Sequence, residues 1–333
     1  MPRKAGDEQL QERHNGELYI DYFVRLFENK ELYKLDCTEI AALLNKQNGE
    51  NFGESKYRKE YRAFQRGREY ERAKLTNGVC RRILTISDTH IPFNLPISTF
   101  SEYSGVVDTL VLNGDLQDCQ SVSKFAKKYR IPMIEEMIAT RQYIIDLVKL
   151  IRPKEVVITK GNHEDRLLRY LSHNINEDLL DIMPDSTLEL VVNEGFKNRD
   201  RRNGIEQFYS PIKNFFEDIP IIYEGKWFCK VGQTIFAHPL AYSTGMLKTA
   251  EKAADYFLRI DRDFDTIVLA HTHKLGQFIQ GGINMFEQGC CCRTEEMQYA
   301  DGRLTHPQQK GFLYLCQDKD GKLIYEKSKL ISL

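Results

Sequence analysis

Arg82-Ile83-Leu84-Thr85-Ile86-Ser87-Asp88-Thr89-His90 is the stretch that decides the fold. A short apolar, β-branched run passes into polar residues, and a carboxylate and an imidazole stand one residue apart just beyond it. Such a run reads as a buried strand. The arrangement recurs four times downstream. Val106–Leu112 leads to Asn113-Gly114-Asp115-Leu116-Gln117-Asp118, and Glu155–Thr159 leads to Gly161-Asn162-His163-Glu164. Gln233–Ala237 leads to His238, and Thr266–Ala270 to His271-Thr272-His273. Amphipathic helical stretches such as Ile134–Leu150 lie between these runs. Strand alternating with helix predicts a layered α/β domain. Near the C-terminus, Phe312–Cys316 and Leu323–Tyr325 flank Asp320-Gly321, a hairpin signal.

Five of the eight histidines thus stand just past a predicted strand. Ligands of open α/β sheets gather outside the carboxyl ends of the strands. Asp, His and Asn donors together suit borderline divalent ions such as Mn, Fe, Zn or Ni. Two such ions held roughly 3.5–4 Å apart would activate a water for in-line attack on phosphorus. A site without cysteine, rich in His and carboxylate, fits hydrolysis better than a structural zinc. Of the eight cysteines, Cys290-Cys291-Cys292 are consecutive and the rest are scattered, with no C-x-x-C among them. The triplet reads as a buried strand end, since free Cys behaves as a small hydrophobe. All eight are expected as free thiols in a reducing cytosol.

Upstream of about residue 80 the pattern is helical and rich in charge. Leu18, Tyr22, Leu26 and Leu32 are spaced for one helical face. Cys37–Leu44 reads as a short helix with Asp36 or Thr38 as N-cap, broken at Asn48-Gly49. A second helix, with Ser55 as N-cap, presents Tyr57, Tyr61 and Phe64 on one face and Lys56, Arg58, Lys59, Arg62 and Arg66 on others. Phe52–Arg82 holds ten basic and four acidic residues in a chain whose net charge is -1. Two short helices around a turn, the second basic, suggest a helix-turn-helix unit that meets DNA. The alternative is a packing or oligomerisation arm with a solvated face.

The 333 residues allow about two domains, here a helical one over 1–80 and an α/β one over 81–333. The near-neutral balance excludes a uniform positive field but not a local basic patch. No apolar run of about 18 residues is present, so no membrane partner is expected. Met1–Asn15 lacks the apolar centre of a secretory signal, which points to the cytoplasm. Nothing in the sequence signals an oligomeric state.

In their order, Asp88-x-His90, Gly114-Asp115-x-x-Asp118, Gly161-Asn162-His163-Glu164, His238 and His271-x-His273 resemble the calcineurin-like metallophosphoesterases. The likeness covers residues 81–333. It implies a β-sandwich flanked by helices, with two divalent metals between the sheets, Mn first among them. It also implies that Asp88, His90 and His273 hold one metal, that Asn162, His238 and His271 hold the other, and that Asp115 bridges them. A hydroxide between the metals would attack phosphorus. His163 would protonate the leaving oxygen or clamp the phosphate, with Asp118 fixing its ring. Glu164 is open between support of the ligands and a helix-starting role.

The chain departs from the family in two places. Ala270 stands where Gly often precedes the last His-x-His. Cys119-Gln120 stands where phosphoprotein phosphatases carry Arg-Gly. Loss of that arginine favours a phosphodiester substrate unless Arg166 or Arg169 serves instead. Residues of about 170–230, with the basic Asn198–Gly204, read as a cap near the site. Residues 35–70 resemble the helix-turn-helix segments joined to such domains in bacteriophage and prophage proteins. The leading expectation is a phosphodiesterase or nuclease acting on DNA. Alternatives are an enzyme of small nucleotides or phosphoproteins, and a DNA-binding regulator with a vestigial catalytic domain. His14, His173 and His306 match no block and are expected at the surface or in packing.

Overall fold

A computed structural model describes residues 11–75, 78–124, 129–200, 203–296 and 308–333. The chain divides into two compact units, Met1–Asn77 and Gly78–Leu333.

The first unit is helical. Its helices are α1 (Tyr19–Glu28), α2 (Cys37–Asn48) and α3 (Glu54–Leu75). Asp36 caps α2: its side chain accepts from the Thr38 and Glu39 N–H groups, while Glu39 reaches back to the Asp36 N–H. This reciprocal pairing satisfies donors that a helix start leaves open. Gly49, at φ 67°, ends the helix as Asn48-Gly49 predicts. Tyr22, Phe23, Leu26 and Phe27 of α1 pack on Ile40, Ala41 and Leu44 of α2 and Tyr57 of α3. Tyr61 stacks on Phe27 with ring centroids 4.6 Å apart.

Three sequence expectations change here. Leu18 and Leu32 are exposed, because α1 spans only the residues between them. Ser55 sits inside the first turn of α3 rather than capping it, and α3 is a long helix of 22 residues.

The second unit is a two-sheet sandwich. One sheet has the order β13-β12-β1-β2-β3-β6, built from β1 (Arg81–Ile86), β2 (Thr109–Asn113), β3 (Glu155–Thr159), β6 (Ile221–Tyr223), β12 (Gly311–Gln317) and β13 (Lys329–Ser332). β1, β2, β3 and β6 run parallel, and β12 is antiparallel to β1. The other sheet has the order β10-β11-β9-β8-β7, from β7 (Phe228–Val231), β8 (Thr234–Ala237), β9 (Thr266–Leu269), β10 (Leu275–Gln280) and β11 (Ile283–Gln288). β8, β9 and β11 are parallel. A separate hairpin pairs β4 (Phe196–Asp200) with β5 (Ile205–Tyr209).

Between the sheets lie Ile83, Val111, Val157 and Leu313 against Val231, Phe236, Val268 and Phe286. Helix α4 (Met133–Ile151) covers the outside of the first sheet with Ile144, Leu147, Val148 and Ile151. Helix α6 (Lys248–Ile260), which follows α5 (Asp165–Asn174) in the chain, covers the second with Ala250, Ala254 and Phe257. Strands covered on both faces are apolar throughout, which is why β2 reads as a continuous run rather than an alternating one.

Two boundaries differ from expectation. Val106–Asp108 precede β2 outside the strand, and the Asp108 carboxylate accepts from the Arg82 backbone N–H and guanidinium. Past Gly321, Leu323 makes only a single bridge to Gln317. Tyr325–Lys327 then form a helical turn, and pairing with β12 resumes at β13. In the expected cap region, Arg201 and Arg202 lie outside the described residues, as does His306. His14 and His173 are exposed.

Candidate metal centre

Parallel strands deliver their carboxyl ends to one edge of the sandwich. There the loops after β1, β2, β3, β8 and β9 bring together Asp88, His90, Asp115, His163, His238, His271 and His273. His90 Nε2 and His273 Nε2 are 3.2 Å apart, and His273 Nε2 lies 3.1 Å from Asp88 Oδ1. Asp115 Oδ2 lies 3.2 Å from His238 Nε2, 3.8 Å from His163 Nε2 and 4.0 Å from His90 Nε2. Two donor groups share Asp115: one with His90 and His163, one with His238 and His271. A third joins His90 and His273 to Cys292.

The backbone is forced to make this possible. Asp88, His90, Asp115, His271 and His273 all have positive φ, between 45° and 75°. Non-glycine residues rarely adopt that region, and such strain clusters at functional sites. Glycine is required at two neighbours. A Cβ at Gly114 would stand 2.6 Å from the His238 ring, and one at Gly161 would collide with Asp115.

Glu164 holds the scaffold. Fully buried, it accepts from the backbone N–H groups of Asp115, Gln117 and Gly161 at 2.7–3.0 Å. Burial and the nearby Asp115 charge push its carboxyl up to about 7. Both readings open from sequence hold in part: Glu164 stands at the N-cap position of α5, but its side chain makes no cap hydrogen bond and supports the ligand loops instead.

The electrostatics call for cations. Asp88, Asp115 and Asp118 are all at most 1% exposed. Burial alone would raise the Asp115 carboxyl, yet His163, His238 and His90 hold it well below the carboxylate range. Burial would likewise lower His238, but Asp115 and Asp88 push it up to about 9. Buried carboxylates need compensating positive charge, and here imidazoles supply it. His238 Nδ1 donates to the Asn113 carbonyl at 2.9 Å, and its Nε2 is buried without a hydrogen bond. Asn162 Oδ1 is buried without one too. A ring fixed through one nitrogen with the other open is how histidine meets a metal. The residues therefore fit divalent ions.

His163 sits where chemistry would need it. Its Nδ1 is 3.1 Å from both the carbonyl and Oδ1 of Asp118. Arg166 donates to His163 Nε2 at 2.7 Å and to the Asp118 carbonyl at 2.6 Å. Burial lowers the His163 imidazole to about 4, against the pull of Asp115 and Asp118. Arg169 is not brought to the cluster; it is largely exposed and lies 3.8 Å from Asp165. Cys119 and Gln120, in the position of the phosphatases' Arg-Gly, are fully buried away from solvent, with Cys119 Sγ against Thr187.

Two residues escaped the sequence reading. Lys274 is buried and donates from Nζ to the carbonyls of Ser243, Thr244 and Gly245 at 2.8–2.9 Å, tying down the loop after His238. Cys292 corrects the expectation of a cysteine-free site: its Sγ lies within 4.8 Å of ring nitrogens of His90 and His273. No apolar run announced it, because β11 carries Asn284, Glu287 and Gln288.

On α3, Arg58, Lys59, Arg62 and Arg66 are exposed, and Lys56 stands over the Phe52 ring at 3.2 Å. Lys59, Arg62 and Arg66 line one shallow depression with Gln65 and Glu69.

Residues 81–275 match the family model for calcineurin-like phosphoesterases. The chain belongs to this family. Residues 7–76 match the YonJ N-terminal domain. Among curated proteins, the SPbeta prophage-derived uncharacterized protein YonJ of Bacillus subtilis (strain 168) is 42% identical over 62 residues, which span 19% of this chain and 15% of that relative. Among solved structures, Vacuolar Protein Sorting 29 from Cryptosporidium parvum matches with TM-score 0.36 at 16% identity, covering 76% of this chain and 97% of its own. A novel archaeal phosphodiesterase matches with TM-score 0.35 at 15% identity, covering 76% and 99%. For a calcineurin-like phosphoesterase the implied cofactors are divalent metal ions, and the buried Asp and His groups could hold them. Among the described residues no helix is long and apolar enough to cross a membrane, and none of the eight cysteines forms a disulfide.

Proposed function

We propose that this calcineurin-like phosphoesterase is a two-metal phosphodiesterase acting on DNA, a nuclease or end-processing enzyme of the host cytoplasm. The observation that carries the reading is the sharing of buried Asp115 between two donor groups. In this reading Asp88, His90 and His273 hold one ion, and Asn162, His238 and His271 the other. Bound ions of the Mn, Fe, Zn or Ni class would supply Lewis acidity and a water acidic enough to attack at neutral pH.

The chain's own residues do the rest. Asp115, carrying full negative charge, sets the spacing of the two positions. Asp118 holds the His163 ring by Nδ1, which leaves Nε2 facing the cluster. Arg166 stands at that same Nε2 and can receive a phosphate oxygen. An incoming phosphoester brings negative charge beside His163 and raises its pKa, so the ring can take up a proton and deliver it to the leaving oxygen. The exposed Lys59, Arg62 and Arg66 would neutralise backbone phosphates and make binding fall with added salt.

End-labelled single- and double-stranded DNA incubated with Mn²⁺ tests this, with His163→Ala as contamination control. Cleavage by wild type, falling about 10²–10⁴-fold in the variant, is expected. No cleavage of either form by metal-loaded protein would remove DNA as substrate.

A second reading, a phosphodiesterase of small nucleotides, is favoured by one feature. A cavity of about 420 Å³ is lined by Trp227, Leu240, Tyr242, Lys252 and Tyr256. The Tyr242 ring lies 5.3 Å from that of His271. Aromatic walls beside the centre suit a stacked base. Turnover of a dinucleotide in the absence of DNA cleavage would select it.

A further inference from the structure

Cys290-Cys291-Cys292 follows β11, which runs parallel to β9, so a sixth strand end arrives at the same edge of the sandwich. Gly289, at φ 77°, turns the chain there. The Cys291 N–H donates to the carbonyls of Ser87 and Asp88 at 3.1 and 3.2 Å, and the Cys291 carbonyl accepts from the Leu95 N–H at 2.9 Å. Cys292 bridges to Asn94. The triplet is thus bound by its backbone to both flanks of the segment that carries Asp88 and His90.

Alternation then sets Cys291 apart from Cys290 and Cys292. Cys291 faces the main core, and its Sγ donates to the Gly311 carbonyl at 3.3 Å. Cys290 and Cys292 share the opposite side with Phe93, and Cys290 Sγ donates to the Gln309 carbonyl at 3.4 Å. Cys292 is fully buried, and its Sγ stands within 4.8 Å of the ring nitrogens of His90 and His273.

We propose that Cys292 is a ligand of the metal position formed by Asp88, His90 and His273. The inference rests on the two-metal reading above and deepens it. Metal binding takes the proton from the thiol, and the thiolate adds a soft donor to a carboxylate and two imidazoles. A soft donor moves preference from Mg and Mn toward Zn, Co and Fe. This position therefore takes a borderline ion, while the Asn162, His238 and His271 position, without sulfur, accepts harder ones. Phe93 beside the thiol excludes water from that side.

Cobalt(II) titration of the metal-stripped full chain tests the proposal, because cobalt reports its donors by colour. Visible bands report ions bound by any donors; a near-ultraviolet sulfur-to-cobalt charge-transfer band reports a thiolate. Wild type is expected to show both. Cys292→Ser should keep the visible bands and lose the near-ultraviolet one, while Cys291→Ser keeps both. The Zn-over-Mn preference of Cys292→Ser should also fall by about tenfold or more. Visible bands without the charge-transfer band in wild type would overturn the proposal, with no variant needed, and leave the two-metal reading standing. A band that persists in Cys292→Ser would overturn it as well. Absence of all cobalt bands would overturn the two-metal reading itself.

Discussion

The two units carry their charge in opposite ways. On α3, Arg58, Lys59, Arg62 and Arg66 are exposed, and two ion pairs are of helical spacing: Lys56 with Glu60 at 3.8 Å and Arg58 with Glu54 at 3.4 Å. Exposed pairs of this kind contribute only about 0.3–0.5 kcal/mol each, so these side chains can leave their partners for a phosphate at little cost. In the phosphoesterase unit the carboxylates of Asp88, Asp115 and Asp118 are buried among imidazoles, with Asp88 and Asp115 on left-handed backbone. Glu164 and two glycines hold the loops there. A solvated surface tolerates many partners and fixes none. A buried cluster fixes geometry within a fraction of an ångström, which catalysis needs, and it depends on the surrounding fold to stay charged.

If that contrast is right, single substitutions should be severe in one unit and mild in the other. The largest effect is expected for Asp115→Asn, which removes the carboxylate shared by both donor groups. Hydrolysis should fall by roughly 10³-fold or more, as measured with a diester substrate at saturating metal, while circular dichroism keeps the wild-type spectrum. Next comes Glu164→Ala, which leaves three buried backbone N–H groups without an acceptor. Urea unfolding of the phosphoesterase unit should show a loss of about 2–4 kcal/mol.

Smaller effects lie farther from the centre. Asp36→Ala removes the α2 cap and should cost about 1 kcal/mol in the stability of the helical unit, without altering hydrolysis. A change in turnover there would break the contrast. The smallest effect concerns acid. Burial would raise the Asp108 carboxyl, but Arg82 and Lys154 hold it down at about 2. Its folded value lies below the unfolded value of about 3.9, so its stabilisation is complete above about pH 4 and is lost as pH falls toward 2. Allowing for solvent screening, it amounts to about 1 kcal/mol. The stability gap between wild type and Asp108→Asn, followed by acid unfolding, should close over that range.

The comparison also explains what the sequence discloses. A buried strand must be apolar and a ligand loop polar, so each strand end announced its residues, and Asp88, Asp115, Asn162, His163 and His238 stand out by position alone. The α2 cap was legible because Asp36, Glu39 and Gly49 act within one helix. Leu18 and Leu32 misled because helical spacing continues past the point where the helix stops. Arg166 and Arg169 look alike in sequence, one helical turn apart, yet only Arg166 reaches His163. Glu164 has the same local sequence whether it starts a helix in solvent or accepts three N–H groups in the interior. Lys274 and Cys292 act on loops distant in the chain, and no local pattern encodes that pairing. The left-handed backbone of the ligands is equally silent, because the strain is imposed by the assembled loops.

The central claim is that the buried carboxylates and imidazoles hold two divalent ions. Metal content per chain, measured by plasma mass spectrometry after equilibration with Mn²⁺ or Zn²⁺ and removal of free ion, tests it most directly. Two ions per chain are expected for wild type, with a marked loss in Asp115→Asn. Wild-type protein that is folded and retains no ion would contradict the account.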